Sequence, residues 1–191
     1  MKNSVLYDKY ADGRHWDKHP TVYAEHFADI LAQRNFRGLI VDVGCGCGRD
    51  VNVFGTRGFE VVGLDNSRLE VERARDSFPS RMFMPGDIEA LPFAEEEVGA
   101  VFAINVIHYV DPVFAFQQFK RKLRPGGLLF IHFNLRIVAA DGQVDLVTER
   151  ETIEALSYGW ICEEERTFER VDALPREHTH TILEKVLRKP E

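Results

Sequence analysis

The chain has 191 residues, 24 Lys and Arg against 31 Asp and Glu for a net charge of −7, 45% hydrophobic residues and 3 Cys. At roughly 100 to 200 residues per domain this length excludes a multidomain assembly, and it predicts one domain over 1–191, with an N-terminal arm and helix over 1–35 and a core over 36–191. The acidic balance argues against nucleic acid, which is usually met by a basic face. The longest near-apolar run, Val98 to Val110, contains Asn105 and His108 and falls short of the ~20 residues of a membrane helix.

The N-terminal stretch MKNSVLYDKYADGRHW lacks the apolar run of a signal peptide. Its tyrosines, Arg14 and Trp16 read instead as an aromatic, charged arm. From Pro20 onward, Tyr23, Phe27, Ile30 and Leu31 fall at i, i+4, i+7 and i+8, one face of an amphipathic helix. The period then changes. Leu39–Val43, Val61–Leu64, Val98–Ile104 and Leu128–Phe133 are β-rich runs with little alternation, as expected of strands buried on both faces. Helices are predicted between them: a capping box of Ser67 and Glu70 precedes Val71, Ala74 and Phe78, and Asp111 with Pro112 precedes Val113, Phe116, Phe119 and Leu123. A further capping box, Thr148 with Glu151, is expected to open a helix carrying Ile153 and Leu156. Trp160–Phe168 and His178–Leu187 then follow each other without a helix, which predicts an antiparallel hairpin. The pattern is that of an α/β, Rossmann-like, doubly wound and mostly parallel sheet, with that hairpin at its edge.

The segment LIVDVGCGCGRD, residues 39 to 50, runs from a buried strand into Gly44, Gly46 and Gly48 at alternate positions. Absent Cβ atoms in such a turn allow tight dihedrals and close approach of a ligand to the main chain. The next strand ends in Asp65, about 20 residues beyond the first glycine, where a carboxylate can accept hydrogen bonds from ribose hydroxyls; capping of the following helix is its competing role. A G-x-G-x-x-G dinucleotide motif would need glycine where Arg49 stands.

With GLDNS (63–67), GDIEALPF (86–93), INVIHYVDP (104–112) and LRPGG (123–127) in order behind VDVGCGCGRD, the chain resembles the class I S-adenosylmethionine-dependent methyltransferases, in particular the small-molecule group related to ubiquinone and menaquinone biosynthesis. The resemblance covers about Leu39 to Phe133 and, more loosely, the rest. It implies a seven-stranded sheet, S-adenosyl-L-methionine as cofactor and methyl transfer to a small-molecule acceptor. It also implies that Gly44, Cys45 and Gly46 lie against the methionine part of the cofactor, with Asp42 supporting the turn. Asp65 would hold the ribose diol, Asn66 would flank the adenine, Asp87 and the Ile88 amide would meet the adenine edge, and Asn105 would touch the amino-acid end through its backbone. Tyr10 and Arg14, in a segment that folds over the cofactor in several members, would close the site. LRPGG is expected to be a structural turn.

Other residues carry open alternatives. His108 is a candidate base near the mouth of the cleft, against plain packing. His132, inside an apolar strand, reads as a hydrogen-bonded core residue. Cys45 and Cys47 have no second pair for a zinc site, and His178 with His180 reads as a surface or edge pair, so no metal is expected. Three cysteines form no disulfide framework, which suits the cytoplasm. A non-catalytic sensor of S-adenosylmethionine on the same fold, and an NAD-dependent oxidoreductase, remain as alternatives to the transferase.

Overall fold

The structure is a computed structural model that describes residues 20–172 and 177–191. The first helix, α1 (Val22–Gln33), starts where Thr21 Oγ1 accepts from the Ala24 N–H, and it buries Ala24, Phe27, Ala28, Ile30 and Leu31. The strand β1 (Leu39–Val43) then leads through the glycine turn to α2 (Arg49–Thr56). There follow β2 (Val61–Asp65), α3 (Arg68–Ser77), β3 (Met82–Pro85), β4 (Val98–Ala103) and α4 (Pro112–Lys122). The last part holds β5 (Leu123–Ala139), β6 (Val144–Val147), α5 (Arg150–Leu156), β7 (Ile161–Asp172) and β8 (His178–Arg188).

Eight strands form one sheet, one more than the seven the resemblance implied: seven lie in the order β3-β2-β1-β4-β5-β8-β7, and β6 pairs with β5 off that path. The pairs among β1 to β5 on the path are parallel, whereas β8 is antiparallel to both β5 and β7. The reversal of order on either side of β1 opens a crevice beyond the carboxyl ends of β1 and β4, the place where sheets of this kind hold ligands. Both faces are covered. Phe27 of α1, Phe54 of α2 and Val71 of α3 pack with Phe102 and Phe130 on one side, and Phe116 and Phe119 of α4 with Leu129, Ile131 and Phe133 on the other. All six residues of β4 are buried, which is why that strand shows no alternation in the sequence. Phe27, Phe102 and Phe130 stack with centroids 5.1 to 6.0 Å apart, and each buried ring contributes about 1.5–3 kcal/mol. Among the described residues, no helix is long and apolar enough to cross a membrane.

Two sequence expectations need correction. The Thr148–Glu151 capping box does not form: Glu149 occupies the N-cap without a side-chain bond, and the Thr148 N–H donates instead to the Leu135 carbonyl at 2.8 Å. Thr148 is thus held by strand pairing, one residue too early to cap. Nor does the sheet stop at Phe133. β5 runs on to Ala139 and turns back through Gly142 (φ +87°) into β6, so the stretch after Phe133 is a hairpin arm. LRPGG carries the register shift by which Leu123 pairs with Val98 and Leu128 with Ala100, the structural role expected of it.

Candidate functional site

The glycine turn is held from below by β2: the Gly44 and Cys45 N–H groups both donate to the Leu64 carbonyl, at 2.7 and 3.1 Å. Gly44 and Gly46 both have positive φ, +72° and +50°, yet they lack a Cβ for different reasons. A Cβ on Gly44 would lie 2.0 Å from Val106 Cγ1, so the loop after β4 packs directly onto the turn. A Cβ on Gly46 would meet nothing within 4 Å among the described residues. Gly44 therefore serves protein packing, and Gly46 faces the open space in which a ligand could touch the main chain. The Cys45 side chain is buried beneath the turn, and burial pushes its thiol pKa well up; at this position only the main chain faces the crevice side.

Asp65 ends β2 with both carboxylate oxygens engaged: Oδ2 accepts from the Gly46 N–H and Oδ1 from the Ser67 N–H, each at 2.8 Å. Ser67 in turn caps α3 by accepting from the Glu70 N–H at 3.2 Å. Asp65 thus reaches the glycine turn and braces the start of α3. Asn66 follows it, half-buried. The Gly86 N–H donates to the Asp65 carbonyl at 2.9 Å and brings the next loop alongside. There Asp87 accepts from the Glu89 N–H at 2.9 Å and caps a 3-10 turn over Ile88–Ala90, with Ile88 buried.

Asp42 lies buried at the end of β1, with Oδ2 lacking a hydrogen-bond partner. Burial, with Asp50 and Asp65 nearby, pushes its pKa well above the usual carboxylate value, against the pull of Arg49. Asp50 is also raised by burial, although it accepts from the Thr21 N–H at 2.8 Å. Asp42 and Asp50 are thus desolvated carboxyls whose charged forms burial disfavours.

Beyond β4, Asn105 adopts φ +57°, a left-handed conformation that Asn tolerates. Its Oδ1 accepts from Arg170 at 3.3 Å. His108 Nδ1 lies 3.0 Å from the Asn134 amide nitrogen. Sequence spacing did not reveal the group these side chains join. Arg170 also donates to both oxygens of Asp172, at 2.9 and 2.8 Å, and Asn134 Oδ1 meets His180 Nδ1 at 3.0 Å. His180 is buried, contrary to the expected surface pair, because β8 is an interior strand flanked by β5 and β7. Burial first, then Arg170, lowers its pKa to about 4. Tyr10 and Arg14 lie outside the described residues.

His132 is a buried core residue as expected, with Nε2 2.7 Å from Glu184 Oε2. Burial lowers its pKa despite that carboxylate, and Glu184 is itself held below the usual value by His132 and Arg166 against its own burial. A His whose folded pKa is depressed is taken up neutral, so stability is full above the unfolded value of about 6.5 and falls as pH drops below it. The depressed Glu184 adds a further loss below about 4.5. We expect the melting temperature to fall from pH 7 toward pH 4 in a thermal scan, and His132→Gln to flatten part of the fall below about pH 6.5. An unchanged slope in that variant would show that His132 titrates alike in both states.

The comparisons with known proteins agree with this geometry. Residues 41–131 match a family model described as a methyltransferase domain. An uncharacterized methyltransferase of Mycobacterium tuberculosis is 32% identical over 97 residues, which cover 51% of this chain and 40% of that protein. A malonyl-[acyl-carrier protein] O-methyltransferase of Salmonella typhimurium is 32% identical over 110 residues, covering 55% and 43%. The chain thus spans about two fifths of the length of these curated relatives. In fold it is similar to a protein solved in work on the conversion of a disulfide bond into a thioacetal group during echinomycin biosynthesis, with a TM-score of 0.74 and 18% identity, covering 98% of this chain and 93% of that one. The strand-end glycine turn closed by an acid from the neighbouring strand lies within residues 41–131, the part of the chain that matches the methyltransferase domain model.

Proposed function

We propose that the protein transfers a methyl group from S-adenosylmethionine to a small-molecule acceptor. The observation that carries this reading is the Gly46 turn, open among the described residues and braced by the Asp65 carboxylate. When bound there, the cofactor supplies an electrophilic methyl group on a cationic sulfonium. Main-chain groups at Gly44, Cys45 and Gly46 would face its methionine part, with Asp42 supporting the turn. Asp65 would exchange the Gly46 N–H for the ribose hydroxyls, with Asn66, Asp87 and Ile88 around the base and Asn105 at the amino-acid end. Arg14 and Tyr10 of the N-terminal arm would close the site.

On this reading the chain contributes chiefly position and the exclusion of water. His108 is cast as an orienting donor and not as a base. With its Nδ1 accepting from the Asn134 amide, the proton of the neutral ring sits on Nε2. The relatives named for O-methyl transfer to malonyl-[acyl-carrier protein] support an oxygen acceptor, and the net charge of −7 weighs against nucleic acid.

Calorimetry with S-adenosylmethionine and S-adenosylhomocysteine, followed by transfer of an isotope-labelled methyl group to carboxylate, hydroxyl, amine and thiol acceptors, tests the proposal. Binding of both ligands and labelling of one acceptor class is the expected result. Binding without transfer to any class would make the protein a sensor and overturn it.

A further inference from the structure

The β7–β8 hairpin carries a constellation that the cofactor reading leaves unused. Its register pairs Asp172 with His178 and Arg170 with His180, and residues two apart on a strand share a face. One ligand atom from each of Asp172, His178 and His180 lies within 4.8 Å of the others. His180 Nε2 is 3.3 Å from Asp172 Oδ2, and the two imidazole centroids are 4.7 Å apart.

The chemistry of that 3.3 Å contact decides what it is for. Asn134 offers its carbonyl oxygen to His180 Nδ1, having turned its amide nitrogen toward His108. Nδ1 of His180 is therefore the protonated nitrogen, and Nε2 carries a lone pair. The side chain is more than nine-tenths buried, and Nε2 has no hydrogen-bond partner among the described residues. Across from it stands a carboxylate oxygen, so two lone pairs confront each other in a desolvated place. A cation between them resolves the conflict. Two ligands each ~2.0–2.1 Å from a tetrahedral zinc stand about 3.3–3.4 Å apart, which is the separation found.

We propose that Asp172, His178 and His180 form a binding site for a divalent transition-metal cation of the zinc class. Two imidazoles and a carboxylate suit zinc, cobalt or nickel and not magnesium or calcium, which favour oxygen ligands. Three protein ligands leave a fourth position for water or another oxygen donor. The supporting contacts are in place: Asn134 fixes the His180 tautomer, and Arg170, itself bonded to Asn105, holds both oxygens of Asp172. Arg170 opposes the cation with its charge. It uses one donor on each oxygen, and a carboxylate has roughly four lone-pair sites, so Oδ2 keeps one for a metal. The site stands on the hairpin alone and does not depend on the cofactor assignment.

The test uses the full, untagged chain, stripped with chelator and titrated with zinc by calorimetry and with cobalt by visible absorption. One equivalent of each should bind, with cobalt bands typical of nitrogen and oxygen ligands. His178→Ala, which changes a half-buried side chain, should abolish stoichiometric binding while circular dichroism stays native. Asn134→Ala should weaken it by about 10–100-fold through the lost tautomer control. A Cys45→Ser/Cys47→Ser variant should bind as the parent does. Absence of binding would mean that His180 Nε2 bears a proton for Asp172, and it would overturn the proposal. Binding unchanged in His178→Ala, or lost in the cysteine variant, would overturn it equally.

Discussion

Gly44→Ala is expected to lose several kcal/mol of stability, whereas Gly46→Ala loses only about 1–2 kcal/mol. The added methyl at position 44 would meet Val106 Cγ1 at 2.0 Å, far inside contact distance, and overpacking of this kind costs about 1–3 kcal/mol. The left-handed backbone at +72° adds about 1–2 kcal/mol for any residue with a Cβ. At position 46 only the backbone cost applies, because the space is open. Chemical denaturation measures both. A double variant, Gly44→Ala with Val106→Ala, should recover much of the loss, since the clash is pairwise; equal stability of the two single alanine variants would refute the assignment. For binding the order reverses. Gly46→Val should fold and yet fail to take S-adenosylmethionine, because its branched side chain fills the ligand's place.

Asp65→Ala should weaken S-adenosylmethionine by one to two orders of magnitude or more. Hydrogen bonds to a charged group are worth about 1.5–3 kcal/mol, and each 1.4 kcal/mol is tenfold in affinity. The structure adds a second reason. Asp65 also accepts from the Gly46 and Ser67 N–H groups, so its removal loosens the turn that must receive the ligand. Asp65→Asn keeps the shape but turns one acceptor into a donor facing an N–H, and it should be nearly as damaging. Calorimetry on folded variants decides the point. Unchanged affinity in Asp65→Ala would remove this residue from the site.

The parts of the fold visible in the sequence are those where backbone need dictates residue type. The alternate glycines after Leu39–Val43, the acid at the end of β2 and the Asp111–Pro112 helix start are all found as expected. β3 escaped notice because it is an edge strand of four residues in which Phe83 alone is buried. The β5–β6 arm was hidden for a similar reason, its outer residues being partly exposed and mixed in character. The group around His180 was illegible because Asn134, Asp172 and His180 come from three strands whose meeting depends on register. Spacing along one strand shows that His178 and His180 share a face, but not that an acid and an amide will be laid beside them.

The position of β8 bears on how the molecule assembles. Residues 178–188 lie late in the chain, yet they fill the gap between β5 and β7 and supply the buried side chains Leu183, Glu184, Lys185 and Leu187. Until they emerge from the ribosome, β5 has an unsatisfied edge on that side and β7 has no neighbour to pair with. Such edges invite pairing with other chains, and long-range strand insertion is intrinsically slow. A nascent chain halted before β8 should therefore be a client for chaperones and prone to aggregate, even though the parallel half of its sheet is already complete.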